Sequence, residues 1–308
     1  MMNNTIHARV IFLGIIFLTV FPIHAQAPGS NPAGLTAATK TTALERSGKP
    51  QAINNLSDVI AIHFDTYGRL LCISSSQSAV FQLLQSEHFW LARKLIAISE
   101  EDLTKLFGSP HAGLSAMTSL SSDMLGSCYV TTSNGGIFRI SPTGRMSKIS
   151  DVRELDYSHV TNNGSVDPKS AALTGALMLN QNSFFTVSQS RNNGSAAGVI
   201  TYFFIKNNTV RRIIYPYDNA PLTALQDIIA LKNTVFVLDS KRECMGGLSY
   251  TKDELRYTWM LSGWNKKWKP AQQHRYTLAS CSADTTFIYV LISSPDDDTQ
   301  YIIRFYQP

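Results

Sequence analysis

The chain has 308 residues, of which 44% are hydrophobic and 16% charged, and its formal net charge is +5. This charge is mild, and no run of lysine and arginine marks a face for nucleic acid, so a nucleic-acid partner is not expected. The four cysteines include no CxxC pair, which argues against thioredoxin chemistry and a zinc knuckle.

The first 25 residues have the pattern of a secretory signal peptide. Residues 10–21 form an almost wholly apolar run after Arg9. Crossing a bilayer takes roughly 20 apolar residues, so the run is too short for a membrane anchor and fits a signal-peptide core. Cleavage after Ala25 would release an exported protein, periplasmic or extracellular, with no membrane span in the mature chain.

Residues 26–50 are rich in Ala, Thr, Gly, Pro and Ser and are predicted to be a flexible linker. Residues 51–308 remain, and a single all-β domain can have this length.

One pattern of short apolar runs and polar turns occurs five times within this domain. Aligning the second run of each repeat on Leu71, Tyr129, Phe185, Phe236 and Tyr289 gives spacings of 58, 56, 51 and 53 residues by subtraction. Runs rich in Val, Ile, Phe and Tyr favour strands, and periods of this size are typical of β-propeller blades. We therefore predict an all-β fold, a single five-bladed propeller. Six blades are the alternative, because residues 99–120 and 151–175 have room for an irregular one.

Two further elements follow from the repeats. Residues 99–107 begin with a capping-box pattern and stop before Gly108, which predicts a helix between the first two blades. The fifth repeat ends at Pro308 one strand short, and residues 49–56 are a candidate for the missing outer strand.

One repeat carries a family resemblance. Residues 129–150, YVTTSNGGIFRISPTGRMSKIS, resemble the repeat of bacterial NHL, SMP-30-like and two-component-sensor propellers, and residues 64–74 and 234–240 echo it. The resemblance implies a propeller fold. It leaves the activity open, since these families include binding modules, sensors and lactone hydrolases.

Propeller topology predicts which loops share a face. Loops between second and third strands, and loops between blades, should emerge together, and binding groups concentrate on such loops. The candidate ligand-binding residues there are Arg191, Arg242, Glu243, His111, His159 and His274. Ordinary solvated surface charge is the alternative explanation for all six.

Three residues are candidates for the central channel. His63, Asp65 and Asp227 lie on or beside predicted inner strands. Imidazole and carboxylate groups meeting there would suit a metal or an acid–base pair, although the sequence identifies neither catalytic residues nor a ligand set.

Other polar and aromatic segments have plainer explanations. Trp264 and Trp268 are expected to be buried between blades, and the run 296–298 of three aspartates to be a solvated turn rather than a calcium site. Cys72 and Cys128 are predicted to be buried free thiols, and a Cys244–Cys281 disulfide is an open possibility for an exported protein.

The sequence thus predicts an exported, non-catalytic propeller that binds a small molecule, a glycan or a protein on its loop face, without a cofactor. One alternative is a metal-dependent hydrolase of the SMP-30 type using calcium or zinc, as the resemblance implies. Another is a glycosidase in which Asp65 and Asp227 act as paired carboxylates.

Overall fold

The computed structural model describes residues 41–107, 117–160, 167–190, 198–214, 224–232, 234–249, 254–261, 276–294 and 299–308. All belong to one compact unit, residues 39–308. Their regular structure is β-strand, apart from one α-helix and two short 3-10 helices over Val152–Glu154 and Ile205–Asn207.

The strands follow the predicted repeats. Two short strands, β1 (Thr42–Ala43) and β2 (Gln51–Asn54), precede a first group formed by β3 (Val59–Phe64), β4 (Leu70–Ser74), β5 (Ala79–Gln85) and β6 (Phe89–Ala97). The second group is β7 (Met117–Ser122), β8 (Cys128–Thr132), β9 (Gly136–Ile140) and β10 (Met146–Asp151). The third is β11 (Ala172–Asn180), β12 (Ser183–Gln189), β13 (Gly198–Phe204) and β14 (Thr209–Ile214). The fourth is β15 (Leu225–Leu231), β16 (Thr234–Asp239), β17 (Cys244–Ser249) and β18 (Glu254–Met260). The fifth is β19 (Thr277–Ala283), β20 (Phe287–Ser293) and β21 (Gln300–Tyr306).

Each group is an antiparallel meander in which neighbouring strands in sequence pair with each other. The residues aligned in the repeats, from Leu71 to Tyr289, lie on the second strand of every group. The first strands β3, β7, β11, β15 and β19 contact one another in this order, and β19 contacts β3 in turn. The described first strands therefore form a closed circuit.

Hydrophobic clusters fill the spaces between consecutive groups. One cluster joins Ile73 of the first group to Phe138 of the second, and another joins Leu291 of the fifth group to Leu83 of the first. The remaining clusters lie between the second and third, third and fourth, and fourth and fifth groups. Both faces of every meander are thus buried against a neighbour, which explains why the second strands are buried along most of their length and are rich in apolar residues.

The predicted helix is confirmed as α1 (Glu100–Phe107). The Ser99 hydroxyl accepts a hydrogen bond from the backbone N–H of Asp102 at 3.1 Å, which caps the first turn. Leu103 is buried in the cluster between the first and second groups, as the position between the first two repeats predicts.

The segment before the first group pairs with the outer strands of three groups. β1 pairs with β18, an isolated bridge joins Arg46 to Phe305, and β2 lies between β21 and β6. β2 occupies the outer position that the shortened fifth repeat leaves open. Residues 42–50, part of the predicted linker, are therefore held against the sheets, because the edges of β18 and β21 offer them backbone partners.

Candidate functional site

Every first strand has the same irregularity near its start. The pairing register shifts across one residue in each of the five, between Val59 and Ala61 in β3 and at the corresponding places elsewhere. A β-bulge of this kind leaves one residue out of the ladder and re-aims its side chain. The five bulge residues are Ile60, Thr118, Thr174, Gln226 and Ala279.

The bulge residues meet at a cavity of about 570 Å³. Each is half-buried, whereas the residues on both sides of it are buried. All five line the cavity, which lies at the ends of the first strands where the chain enters them. We call it the mouth cavity. Its described lining also includes Asp58, Ser75, Thr277, Ser293 and Gln300.

Residues just after the bulges join neighbouring first strands. The Ser119 hydroxyl accepts a hydrogen bond from the backbone N–H of Ala176 at 3.0 Å, and the Ser280 hydroxyl accepts one from Ile62 at 3.0 Å. A Cβ atom on Gly175 would lie 2.9 Å from Cα of Asp227, so β11 and β15 approach too closely there for a side chain. These contacts form a packed layer behind the mouth cavity.

Asp227 belongs to this packed layer rather than to the described cavity lining. Its Oδ1 accepts a hydrogen bond from the N–H of Ile228 at 2.8 Å, and its Oδ2 accepts from the N–H of Cys281 at 3.1 Å and from the Ser280 hydroxyl. Burial raises the pKa of Asp227 to about 7, although these hydrogen bonds act in the opposite direction.

The start of β3 is held by an amide side chain from another group. Gln300 Oε1 accepts a hydrogen bond from the backbone N–H of Val59 at 2.6 Å, and Gln300 Nε2 donates to Val59 O at 2.6 Å. Thr174 similarly donates to Leu225 O at 2.8 Å at the start of β15. Both contacts fix a bulge against its neighbouring group and so define the rim of the mouth cavity.

Asp58 precedes β3 on this rim with a left-handed backbone, φ +55°. Its carbonyl oxygen accepts a hydrogen bond from the N–H of Ser75 at 3.0 Å. Aspartate tolerates this conformation better than most residues do. It is the one charged residue in the described cavity lining, and its side chain is exposed.

His63 and Asp65 lie at the opposite end of β3. His63 Nε2 is 2.9 Å from Ser122 Oγ, and burial lowers the pKa of His63 to about 4, although the charge of Asp65 acts to raise it. Asp65 accepts hydrogen bonds from the N–H groups of Tyr67 and Arg69 and forms an ion pair with the Arg69 guanidinium at 2.6 Å. Its carboxylate therefore stabilises the turn between β3 and β4.

The same turn device recurs in other repeats. Asp123 accepts from the N–H groups of Leu125 and Ser127, and Asp284 accepts from those of Thr286 and Phe287. Tyr129 and Tyr289, two of the aligned residues, donate their hydroxyls to these aspartates at 3.0 and 2.7 Å. The repeated aspartate is thus a structural feature of the first turn.

The loop candidates are dispersed in the described structure. Arg242 and Glu243 lie in the turn before β17, where Asp239 Oδ1 accepts from the N–H of Arg242 at 3.0 Å. His159 is exposed, with Nε2 3.8 Å from Asp156 Oδ2. None of these three belongs to the described lining of the mouth cavity. Arg191, His111 and His274 lie outside the described residues, as do Trp264, Trp268 and residues 296–298.

All four cysteines are buried free thiols. This confirms the prediction for Cys72 and Cys128 and shows that a Cys244–Cys281 disulfide is wrong. The two residues lie in different hydrophobic clusters, Cys244 between the third and fourth groups and Cys281 between the fourth and fifth. Burial raises the pKa of Cys128 to about 11 and that of Cys244 to about 12.

The described residues contain neither a metal-binding cluster nor a membrane-spanning helix. No cluster of three or more His, Cys, Asp or Glu side chains suited to a metal ion occurs among them. Nor does this part of the chain contain a helix long and apolar enough to cross a bilayer.

Several solved structures are similar in fold to this chain. The chain is similar to glutaminyl cyclase of Myxococcus xanthus, with 9% identity over 86% of this chain and 98% of that one and a TM-score of 0.49. Regucalcin, a calcium-binding protein of Agrobacterium tumefaciens, shows 12% identity over 87% and 81% of the two chains and a TM-score of 0.44. These neighbours are β-propeller proteins. The closed circuit of first strands, each of which begins an antiparallel meander, is the architecture of a β-propeller.

Virginiamycin B lyase of Staphylococcus aureus is a further propeller neighbour, with 12% identity over 83% of this chain and 68% of that one and a TM-score of 0.43. At such identities the likeness concerns the fold alone. The resemblance to SMP-30-like propellers is confirmed at that level. No protein-family model and no curated protein matches the sequence.

The bulge residues were missed by sequence reasoning, although a weak signal exists. Each is preceded by a large apolar residue and followed by Ala, Ser, Gly or Asp. The five triplets are VIA at 59–61, MTS at 117–119, LTG at 173–175, LQD at 225–227 and LAS at 278–280. The triplet marks the first strand of each repeat at the residue that lines the mouth cavity.

Proposed function

We propose that this propeller binds a small, hydroxyl-rich molecule in the mouth cavity, without catalysing a reaction on it. The observation that carries the proposal is the shared bulge, which directs one side chain from every first strand into the same space. Bulges concentrate near functional sites because they re-aim side chains.

The chemistry of the lining supports this ligand class. Thr277 provides a hydroxyl group, and Gln226 provides an amide that makes no hydrogen bond to another described residue. The hydroxyls of Thr118 and Thr174 also line the cavity, but they already contact the Thr131 hydroxyl and Leu225 O, so they can serve a ligand mainly as acceptors. Hydroxyls and amides both donate and accept, which matches the hydroxyl groups of a polyol or sugar. Ile60 and Ala279 add apolar surface for carbon atoms. A mixed lining of this kind is typical of small-molecule sites.

We further propose that the propeller has five blades and that the protein is exported. Five blades, with β2 completing the fifth, are supported by the circuit of first strands and by the pairing of β2 with β21. Export is supported by the apolar run at residues 10–21, since the mature domain would then meet ligands outside the cytoplasm.

The enzyme alternatives have no specific observation in their favour. Asp65 and Asp227 lie toward opposite ends of the first strands, since β3 runs from the mouth at Ile60 to the turn at Asp65. At about 3.3 Å per residue these ends are roughly 15 Å apart, beyond the separation that paired carboxylates of a glycosidase need. The described mouth residues also do not fit a resident metal, since Asp58 is the one carboxylate among them.

Replacing Gln226 tests the proposed site. Gln226→Met keeps the length of the side chain and removes its hydrogen bonds, so we expect about a tenfold loss of affinity for any sugar or polyol that the protein binds. A panel of monosaccharides and polyols is first screened by saturation-transfer NMR, and affinities are then measured by calorimetry.

Gln181→Met is the matched control, because Gln181 is exposed in the β11–β12 turn. It should leave affinity unchanged. A panel without any binder, or a binder that Gln226→Met does not weaken, would contradict the proposed function.

A further inference from the structure

Asp58 places a negative charge on the rim of the mouth cavity. Resting on the proposed function above, we propose that the hydroxyl-rich ligand carries a cationic group, such as an ammonium, that pairs with the Asp58 carboxylate. Asp58 is the one charged residue in the described lining, and the other polar lining residues are neutral hydroxyls and amides. The described lining therefore favours a cation over an anion.

The carboxylate has no competing partner within the described structure. No hydrogen bond or ion pair joins it to another described side chain, in contrast to Asp65, Asp123 and Asp151, whose carboxylates hold arginines. An exposed carboxylate at a cavity rim is available to a ligand cation without first losing a protein partner. Charge-assisted hydrogen bonds of this kind are stronger than neutral ones.

The backbone around Asp58 is held in place from two sides. Ser75 donates to the Asp58 carbonyl oxygen through its backbone N–H at 3.0 Å and its hydroxyl at 3.4 Å. The next residue, Val59, is bound by the Gln300 amide through both its N–H and its carbonyl. A left-handed, non-glycine residue persists where the surroundings determine it in this way, and such positions are frequent at ligand sites. The carboxylate is thus presented from a fixed point beside the bulge residues.

The test compares glucosamine with glucose and gluconate at a pH where the amine is protonated. Wild-type protein should bind glucosamine roughly tenfold more tightly than glucose, and gluconate most weakly. The preference should shrink as salt rises from about 0.01 M to about 1 M, because the screening length falls from about 30 Å to about 3 Å.

Asp58→Asn is the decisive variant, because asparagine keeps the size of the side chain and also tolerates the left-handed backbone. It should abolish the preference for glucosamine and leave glucose binding unchanged. Glu87→Gln changes the net charge by the same amount at an exposed site whose side chain is 86% accessible, and should retain the preference.

The outcomes separate the two proposals. Equal binding of glucose and glucosamine, with both weakened by Gln226→Met, would overturn the inference about Asp58 and leave the proposed function standing. Loss of the preference in Glu87→Gln as well as Asp58→Asn would also overturn it. Absence of binding by all three probes would overturn the inference about Asp58. Absence of any binder in the wider panel of sugars and polyols, or binding insensitive to Gln226→Met, would overturn both.

Discussion

Asp227 follows the bulge residue Gln226 in β15, and its carboxylate accepts a hydrogen bond from Cys281 of β19. Burial raises the pKa of its carboxyl group to about 7, above the ordinary value of about 3.9. Between these two pH values the native protein holds a proton that the unfolded chain has released. The free energy of unfolding therefore falls as pH rises through this range.

Replacement of Asp227 by Asn should remove this pH dependence. Relative to the variant, the wild-type protein should lose on the order of 3 kcal/mol of unfolding free energy between about pH 4 and pH 8. Urea unfolding at a series of pH values measures the difference. Glu87→Gln is the control, and its unfolding free energy should depend on pH as that of the wild-type protein does. Parallel curves for wild type and Asp227→Asn would show that the carboxyl group titrates normally.

His63 also changes its protonation in this pH range, so the effect of Asp227 has to be measured as a difference between wild type and variant. Burial lowers the pKa of His63 to about 4, so the unfolded chain gains a proton below about pH 6.5 that the native protein does not take up. Its contribution to stability is lost as pH falls, opposite in sign to that of Asp227. The two effects overlap and offset each other in the wild-type protein, and only the difference between variants isolates Asp227.

At the scale of elements, β2 is the strand that joins the two ends of the propeller. Its residue Ala52 pairs with Tyr301 of β21 on one side and with Phe89 of β6 on the other. A strand between two neighbours uses its backbone N–H groups in the ladder, whereas proline has none to offer.

Ala52→Pro should therefore destabilise the protein by about 3 kcal/mol. Urea unfolding followed by circular dichroism provides the measurement, and Ala52→Ser is the control, since it keeps the N–H and should have a small effect. An unchanged midpoint for Ala52→Pro would mean that the pairing of β2 does not contribute to stability.

At the scale of the whole molecule, the four cysteines lie in four different interfaces between blades. Cys72, Cys128, Cys244 and Cys281 belong to four separate hydrophobic clusters. Burial raises the pKa of all four thiols, so the reactive thiolate is scarce until an interface opens.

A closed ring should expose these thiols together. We expect the four cysteines of the native protein to react with iodoacetamide at one common, slow rate, because opening any interface strains the rest of the ring. In Ala52→Pro, Cys72 and Cys281 should react first, since their clusters contain residues of the fifth group. Mass spectrometry of quenched samples measures each rate. Four unrelated rates in the wild-type protein would contradict cooperative closure.

Part of the fold was predictable because it depends on repetition and on local capping. The second strands could be aligned on Leu71, Tyr129, Phe185, Phe236 and Tyr289, since burial on both faces makes each strand rich in apolar residues. The helix at Glu100–Phe107 was predictable because its capping box is local. The sequence places Asp65 and Asp227 together as channel candidates, because both lie on or beside predicted inner strands. In the structure, Asp65 stabilises a turn and Asp227 stabilises a contact between first strands.

The sequence by itself determined the repeat, the strand runs and the helix, because alternation of residue types and local capping act over a few neighbouring residues. Only the tertiary structure decided which residues form the mouth cavity. A bulge exists as a mismatch between two paired strands, so Gln226 and its four counterparts have no distinct local pattern beyond a large apolar residue before them and Ala, Ser, Gly or Asp after them. The position of Asp58 likewise depends on Ser75 and Gln300, the latter distant in sequence. The chemistry of the mouth cavity is therefore set by residues of different groups that closure of the ring brings together.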